Sequence, residues 1–392
     1  MTRVRGDLGP GIPPSFPVTG LGRGWEPAVL AGVTLILLSF GLVTLYSASA
    51  FLAQRQNLPD TFYILRQAAG AAAGLLVLVA CARIPYLWWR ALSWPLLIIT
   101  IGLLLLLILP WTTGIAPETN GARRWLVVLG VTFQPSELAK LAVVVWTAHM
   151  AVRKGRYFRS FSRGLLPFLL VWAVVILPIL LQPDLSTAFV VGMAGAITIF
   201  AAGARVGHFV LLGGLMVPLA MAQLGRGFRR ERLAAFQDLD GHLSTAGYQV
   251  HQSLIALGSG GVSGVGFGEG RQKFGFLPEP HNDFIFSMIG EEWGFLGVLL
   301  TLALYTTIVL VGFRIAQRTR DPFGQFLAIG LTSMIALHAF LHMAVGLGLL
   351  PPTGLALPLI SYGRSNLLIT LASLGILISV ARGQSEREGT RA

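Results

Sequence analysis

Charge is scarce in this chain. Asp, Glu, Lys and Arg make up 12% of its 392 residues, whereas hydrophobic residues make up 54%. Soluble domains carry about 25% charged residues, so the composition excludes an ordinary soluble enzyme and indicates an integral membrane protein. The single cysteine, Cys81, lies in an apolar run, which excludes a disulfide framework and a cysteine-based metal cluster. No internal repeat is evident, which argues against a transporter built from inverted repeats.

Long apolar runs fill most of the sequence. A helix needs about 20 apolar residues to cross a bilayer, and ten runs are of this kind. We therefore predict an all-α polytopic membrane protein with about ten transmembrane helices. The predicted spans are 27–48, 66–83, 91–110, 135–152, 164–181, 185–203, 207–224, 284–313, 324–350 and 355–380.

An even number of spans places both chain termini on the same side of the membrane. If the N-terminus is cytoplasmic, most of the Lys and Arg fall in inner loops, and the positive-inside rule favours this orientation. We predict a disordered cytoplasmic segment at 1–24, a ten-helix membrane domain at 25–382 and a cytoplasmic tail at 383–392. The net charge of +12 is then largely a topology signal and does not indicate a nucleic-acid partner.

The acidic residues are concentrated in one segment. Eight of the seventeen Asp and Glu lie between Glu231 and Glu292, and most of these fall in a large extracytoplasmic loop predicted at about 225–283, between helices seven and eight. Ionisable groups are costly beside a bilayer, so this cluster is a functional-site hypothesis. Seven glycines between 258 and 270 favour a compact loop whose backbone approaches a neighbour closely.

Polar residues at the start of the fourth predicted helix form a second candidate group. Pro135 is typical of a first helical turn, and Glu137 and Lys140 are then three residues apart on one face and can pair. Two interpretations remain open for this pair. It is either a structural ion pair at a helix start or a pair that faces an inner cavity and orients a polar ligand.

Four further residues have both a structural and a functional interpretation. Asp283 either caps the eighth helix or contributes to a site. Arg364 lies near the outer end of the last helix, where it either packs among small residues or pairs with a phosphate. Asp238 and Asp240 are either solvated loop acids or include a general base for a substrate hydroxyl.

Six segments, in their order along the chain, carry a resemblance to one family. They are NGARRW (120–125), FQPSELAK (133–140), QPDLSTA (182–188), AGYQVHQSLIALGSGG (246–261), RQKFGFLPEPHNDFIFSMIGEEWGFLG (271–297) and LLPPTGLALPLISYG (349–363). With the predicted topology, they are similar to the SEDS family, the polytopic peptidoglycan glycosyltransferases of cell division, elongation and sporulation. The stretch GFGEGRQKFGFLPEPHNDF resembles the division-type FtsW branch more than the elongation-type RodA branch.

The resemblance implies a reaction and its partners. The protein would polymerise Lipid II into glycan strands at the outer face of the cytoplasmic membrane, with a class B penicillin-binding transpeptidase and other divisome membrane proteins as partners. The sequence requires no cofactor and leaves a divalent cation at the diphosphate open. The reaction needs a base and positive charge for the departing diphosphate. Candidate substrate-binding residues are Arg123, Arg124, Trp125, Glu137, Lys140, Arg229, Arg230, Arg232, His281, Asp283 and Arg364.

The candidate base departs from the family pattern. The family's presumed catalytic Asp usually stands six residues before the Tyr of its Gly-Tyr-Gln, which is Tyr248 here, and His242 occupies that position. We predict that Asp240 acts as the base after a small loop shift, with Asp238 or His242 as substitutes. Arg364 and His342 are further departures, because the family usually has Gly and Asn there.

Two other functions remain open from the sequence. A transporter of lipid-linked precursors would use the same cavity without a base. A catalytically degenerate divisome scaffold would account for the missing Asp.

Overall fold

The fold is that of a helical membrane protein. The structure is a computed structural model that describes residues 24–389 except 113, 119–120, 129, 159, 211–212 and 215–246. Its helices are α1 (Glu26–Arg55), α2 (Phe62–Arg83), α3 (Leu87–Leu106), α4 (Pro135–Lys154), α5 (Leu166–Leu181), α6 (Leu185–Ala201), α7 (Tyr248–Ser259), α8 (Ile285–Arg318), α9 (Pro322–Gly346) and α10 (Arg364–Gly389). Two short antiparallel strands, β1 (Leu126–Val128) and β2 (Val131–Phe133), form a hairpin before α4.

The predicted membrane spans correspond to helices throughout the described part of the chain. Seven helices there are long and apolar enough to cross a membrane, and α6 is a shorter apolar helix. The twenty residues of α4 suffice in length, but the helix carries charge at both ends. Residues 206–210 are helical, but the predicted seventh span at 207–224 lies mostly outside the described residues. The all-α polytopic fold is confirmed.

Helix α9 occupies the centre of the bundle. It packs against α4, α6, α8 and α10, while α10 in turn packs along the full face of α2. Helices α9 and α10 are therefore mostly buried, and α2 and α3 mostly exposed. Exposed apolar side chains such as Leu76, Leu170 and Phe295 lie on the outer helix faces, as expected where lipid replaces water.

The last predicted helix begins later than its apolar pattern indicates. The span was predicted at 355–380, but residues 351–363 form an extended and turned segment, here called the strap, and α10 begins at Arg364. Three prolines in the strap lack backbone N–H donors, and Gly354 has a φ of +70°. The strap is nevertheless buried, since Leu357 and Ile360 are almost inaccessible. The prediction was wrong because apolar content measures burial and not helix formation.

Helix α8 is broken one third of the way along its length. Gly294 has φ +65° and ψ −161°, so the regular helical bonding stops there. Residues 260–266, here called the glycine loop, lie along this break. The N–H groups of Phe295 and Leu296 donate to the carbonyls of Gly261 and Val262, at 2.9 and 3.1 Å. The loop thus replaces hydrogen bonds that the broken helix loses.

The glycine loop returns hydrogen bonds to α8 at its other edge. The N–H groups of Val265 and Gly266 donate to the carbonyls of Glu291 and Glu292, at 3.0 and 3.2 Å. A Cβ on Gly264 would overlap the Glu292 carbonyl, and Gly264 also has a φ of +82°. The close backbone approach predicted from the glycine run is confirmed. The predicted large loop also contains a helix, α7, which packs against α8 and α9.

A methyl group at Gly260 tests this close approach. A Cβ there would overlap the carbonyl oxygen of Gly290, whereas the φ of −73° is acceptable to alanine. Overpacking costs roughly 1–3 kcal/mol, so Gly260→Ala is expected to lower the apparent melting temperature in detergent. The matched control is Gly258→Ala, where a Cβ meets nothing within 4 Å. Equal melting temperatures for both variants would contradict the packing described.

Candidate active site

The predicted pair on the first turn of α4 is buried in the centre of the protein. Lys140 Nζ lies 2.7 Å from Glu137 Oε2, and both side chains are almost inaccessible. Helix α4 begins at Pro135 as predicted, which places the two residues on one face. An uncompensated charge at such a position is costly, and in this pair each residue provides the counter-ion of the other.

Two residues from other helices complete this cluster. His338 Nδ1 of α9 lies 3.2 Å from Lys140 Nζ, and Asn366 Nδ2 of α10 donates to Glu137 Oε2 at 3.2 Å. An ammonium group has three donors, and the described contacts use two of them, to Glu137 and His338. The third is available to a ligand oxygen. The cluster therefore joins three helices around one cation.

Side chains from three helices, α2, α6 and α8, hold the strap in place. Gln67 of α2 donates to the Ser361 carbonyl at 3.0 Å and accepts from the Gly363 N–H at 3.2 Å. Ser186 of α6 donates to the Thr353 carbonyl at 3.0 Å, and Tyr305 of α8 donates to the Pro358 carbonyl. A backbone that lacks helical bonding inside a membrane protein must be satisfied in this way.

The strap also fixes the turn that leads into α8. The Tyr362 N–H donates to the His281 carbonyl at 3.0 Å, and the Ser361 hydroxyl donates to the Asn282 carbonyl at 2.7 Å. Asp283 follows directly, half-buried, with one carboxylate oxygen 3.8 Å from where a Cβ on Gly354 would lie. The N-cap position of α8 is Phe284, one residue after the predicted cap. The carboxylate of Asp283 thus faces the strap.

His281 lies in an aromatic group beneath this turn. Its ring centroid is 5.0 Å from that of Tyr63 and 5.7 Å from that of Tyr362. Burial lowers the pKa of His281 to about 4, and burial raises the pKa of the neighbouring Glu279 above its ordinary value. The ring is therefore neutral at physiological pH, and its 3.8 Å approach to Glu279 is not an ion pair there.

Arg364 is the first residue of α10 and lies at an unfavourable end of that helix. Positive charge at a helix N-terminus opposes the macrodipole, and no carboxylate among the described residues forms an ion pair with this guanidinium. It donates to Thr132 of β2 at 2.9 Å and packs over Gly70 of α2. An anion bound here would be stabilised by both the guanidinium and the helix N-terminus.

A second buried acidic group lies at the break in α8. Glu292 accepts from Lys273 Nζ at 2.9 Å and from Ser47 Oγ at 2.5 Å. Glu291 accepts from the N–H groups of Arg271 and Gln272, at 2.8 and 3.3 Å. Both buried carboxylates therefore have hydrogen-bond partners, as buried polar groups require. These contacts fix the segment after the glycine loop against α1 and α8.

The predicted residues of the hairpin segment, Arg123, Arg124 and Trp125, do not join the central cluster. Arg123 donates to the Leu109 carbonyl at 3.3 Å, and Arg124 donates to the carbonyls of Gln182 and Pro183, at 2.9 and 3.1 Å. These bonds fix the hairpin to the C-terminal ends of α3 and α5, and Trp125 is half-buried beside β1. The following predicted residues lie outside the described residues: Asp238, Asp240, His242, Arg229, Arg230 and Arg232. No group of three metal-ligating side chains is found in the described ranges.

Sequence reasoning missed several residues that build the cluster or hold the strap. Gln67, Tyr305, His338 and Asn366 are polar residues in apolar helices, and none of them is among the predicted site residues. Such residues in membrane spans face the protein interior and mark functional positions. That signal alone would have identified them. Their partners lie up to 296 positions away in the sequence, so the contacts themselves had no local pattern.

Comparison with known proteins identifies the family. The chain matches the profile of the FtsW/RodA/SpoVE family, described as cell cycle proteins, over residues 28–386. The chain belongs to this family. It is 39% identical over 354 residues to the probable peptidoglycan glycosyltransferase FtsW of Geobacter sulfurreducens, covering 90% of this chain and 94% of that one. It is 38% identical over 356 residues to the stage V sporulation protein E of Bacillus subtilis, covering 90% of this chain and 96% of that one.

Solved structures of FtsW/RodA/SpoVE proteins share the fold. One chain of a peptidoglycan synthase complex is 30% identical, with a TM-score of 0.76 over 91% of this chain and 97% of that one. The RodA of Thermus thermophilus is 30% identical, with a TM-score of 0.68 over 93% and 98%. The expected SEDS-type fold is confirmed, and the relatives named FtsW agree with the expected division-type resemblance.

Breaking the Lys140–Glu137 pair is expected to be more harmful than removing it. Lys140→Met leaves Glu137 buried without its cation, which costs roughly 3–5 kcal/mol. The double variant Glu137→Gln/Lys140→Met removes both charges and is expected to recover most of that loss. Melting temperatures of the two single variants and the double variant in detergent form the double-mutant cycle. Additive losses would show that the two charges do not stabilise each other.

The neutral state of His281 predicts a pH dependence of stability. The unfolded chain takes up a proton at this residue near pH 6.5, whereas the folded protein does so only near pH 4. Stability is therefore lost as the pH falls from about 6.5 towards 4, by up to roughly 3 kcal/mol. His281→Gln is expected to flatten this part of the stability profile. An unchanged difference in melting temperature between pH 7 and pH 5 would refute the assignment.

Proposed function

We propose that this protein is a peptidoglycan glycosyltransferase that polymerises Lipid II at the outer face of the cytoplasmic membrane during cell division. Its FtsW-named relatives support the activity. The observation that supports the site is a set of buried, hydrogen-bonded polar groups around the strap, within a largely apolar bundle. Polar groups of this kind inside a membrane protein are costly and are kept for function.

The reaction requires a base and a cation in fixed positions. The 4-hydroxyl of an acceptor sugar attacks the anomeric carbon of the growing strand and gives its proton to the base. The bond from that carbon to the diphosphate oxygen breaks, and undecaprenyl diphosphate leaves with the electron pair. Positive charge near the departing oxygen stabilises the transition state. Membrane-embedded walls suit the polyprenyl chain of both substrate and product.

Two cations of the described structure fit the departing diphosphate. Arg364 has no ion-paired carboxylate in the described part of the chain, and the N-terminus of α10 adds its own partial positive charge. Lys140 has one N–H available to a ligand oxygen, and Glu137 holds the ammonium in place. The two residues are connected because Ser365 accepts from the Gln134 N–H at 2.9 Å, which joins the starts of α4 and α10. We assign both to diphosphate binding.

Two carboxylates compete for the role of base. Asp240, with Asp238 or His242 as substitutes, stays a prediction from the sequence. Asp283 is supported by geometry, since the strap residues Tyr362 and Ser361 donate to the carbonyls of His281 and Asn282, the two residues directly before it. A general base must be held within reach of its proton, and Asp283 faces the strap that precedes Arg364. We therefore propose Asp283 as the base and retain Asp240 as the alternative.

The partner and the orientation are also proposals. The structural neighbour in a peptidoglycan synthase complex, described as coordinating polymerization and crosslinking, supports a class B transpeptidase as partner. Cytoplasmic N- and C-termini in the inner membrane follow from the distribution of Lys and Arg. With this orientation, the strap, the hairpin and the N-terminal end of α8 would lie on the outer side of the membrane, where Lipid II is used.

Polymerisation of Lipid II by the purified protein with its transpeptidase tests the function and the base. Asp283→Asn is expected to lower the rate by about 100-fold or more, while Asp60→Asn, an exposed residue between α1 and α2, serves as the control. The readout is glycan length and amount on a gel.

Each outcome of that assay has a distinct meaning. Polymer that is lost in Asp240→Ala but kept in Asp283→Asn would assign the base to the loop residue instead, and loss only in His242→Ala would assign it to the imidazole. Translocation of Lipid II without polymer would favour the transporter. Retained transpeptidase binding with neither activity would favour the scaffold.

A further inference from the structure

Two buried histidines on α9 lie beside the Lys140 cluster. His338 and His342 are four residues apart, so they share one face of the helix, and their side chains are 3% and 1% exposed. Each ring has one nitrogen with a hydrogen-bond partner. The other nitrogen, Nε2 in both rings, has none among the described residues. Buried polar atoms are rarely left in this state.

The contacts of His338 determine where its proton lies. Its Nδ1 is 3.2 Å from Lys140 Nζ and 3.2 Å from Asn366 Nδ2. An ammonium group can only donate, and the amide of Asn366 is oriented by its donation to the Glu137 carboxylate. Nδ1 of His338 therefore accepts, and the ring is neutral with its proton on Nε2. The atom without a partner is a donor.

His342 has the opposite tautomer. Its Nδ1 is 2.6 Å from the carbonyl oxygen of Leu355 in the strap. A carbonyl can only accept, so Nδ1 carries the proton. A second proton on this ring would create a buried charge with no counter-ion among the described residues, which is unfavourable. The ring is therefore neutral, and its Nε2 without a partner is an acceptor.

We infer that a single bound water molecule bridges His338 and His342. It accepts from Nε2–H of His338 and donates to Nε2 of His342, which satisfies both atoms in a polar, buried position. The result is one continuous hydrogen-bonded chain in which Lys140 donates towards both ends, to Glu137 on one side and to His338 on the other, and each later member donates to the next. Its members are Glu137, Lys140, His338, the water, His342 and the carbonyl of Leu355.

The opposite tautomers exclude a metal ion between the two rings. A helical His pair four residues apart binds a cation through two nitrogen lone pairs, but His338 presents an N–H on this side. A hydroxyl-bearing molecule satisfies both rings, because a hydroxyl both donates and accepts. Water is the smallest such group.

This series of hydrogen bonds makes His338 and His342 positioning residues for Lys140. It links the ammonium to the strap, so a displacement of the strap at Leu355 changes the hydrogen bonding of the cation. This role rests on the proposed function, in which Lys140 meets the diphosphate. The tautomers and the bridging water do not rest on it.

Nitrogen-15 NMR of the histidine-labelled full-length protein at pH 7 tests the two tautomers and the bridging water directly. The two rings are assigned by their loss in His338→Gln and His342→Asn. We expect a neutral Nε2–H ring at His338, a neutral Nδ1–H ring at His342, and magnetisation transfer from water to the His338 Nε2–H proton. The same tautomer in both rings, a charged ring, or no transfer from water would overturn the inference. This readout does not depend on enzymatic activity.

Kinetics of Lipid II polymerisation test the positioning role separately. His338→Leu and His342→Leu each interrupt the series of hydrogen bonds and are expected to lower the rate of polymerisation by about tenfold. His338→Gln and His342→Asn are expected to restore it, because an amide can both donate and accept. Amide variants as slow as the leucine variants would overturn the role. An inactive wild-type protein with the expected tautomers would refute the proposed function and leave the water bridge standing.

Discussion

Backbone that is not helical inside a membrane protein has to find hydrogen-bond partners within the protein. Two segments of this chain impose that requirement, the strap and the break in α8. The break is satisfied by the backbone of the glycine loop, which needs glycines to come close enough. The strap is satisfied mainly by side chains, from Gln67, Ser186, Tyr305 and His342.

The same constraint produces the candidate site. Side chains that satisfy the strap come from α2, α6, α8 and α9, so the strap holds these helices and the turn before Asp283 in one arrangement. Its end, at Arg364, brings a cation and a helix N-terminus to the start of α4. Stability and function are therefore supported by the same contacts. A peptidoglycan glycosyltransferase needs such a rigid polar site, because its chemistry consists of placing one hydroxyl and one diphosphate.

Local patterns in the sequence predict the structural features that depend on residues close together along the chain. The Glu137–Lys140 pair followed from a spacing of three, the start of α4 from Pro135, and the close approach from the glycine run. The strap was mistaken for a helix because residues 355–360 are apolar, and their extended form depends on partners far away in the sequence. The contribution of His338 and Asn366 was missed for the same reason, since it depends on packing between helices.

We propose that the lipid-linked diphosphate binds beside the strap, between Arg364 and Lys140. The most direct measurement is a cryo-electron microscopy structure of the protein with its transpeptidase and undecaprenyl diphosphate. We expect diphosphate oxygens within hydrogen-bonding distance of the Arg364 guanidinium and the Lys140 ammonium. Diphosphate bound away from both cations, with the strap side chains unchanged, would contradict it.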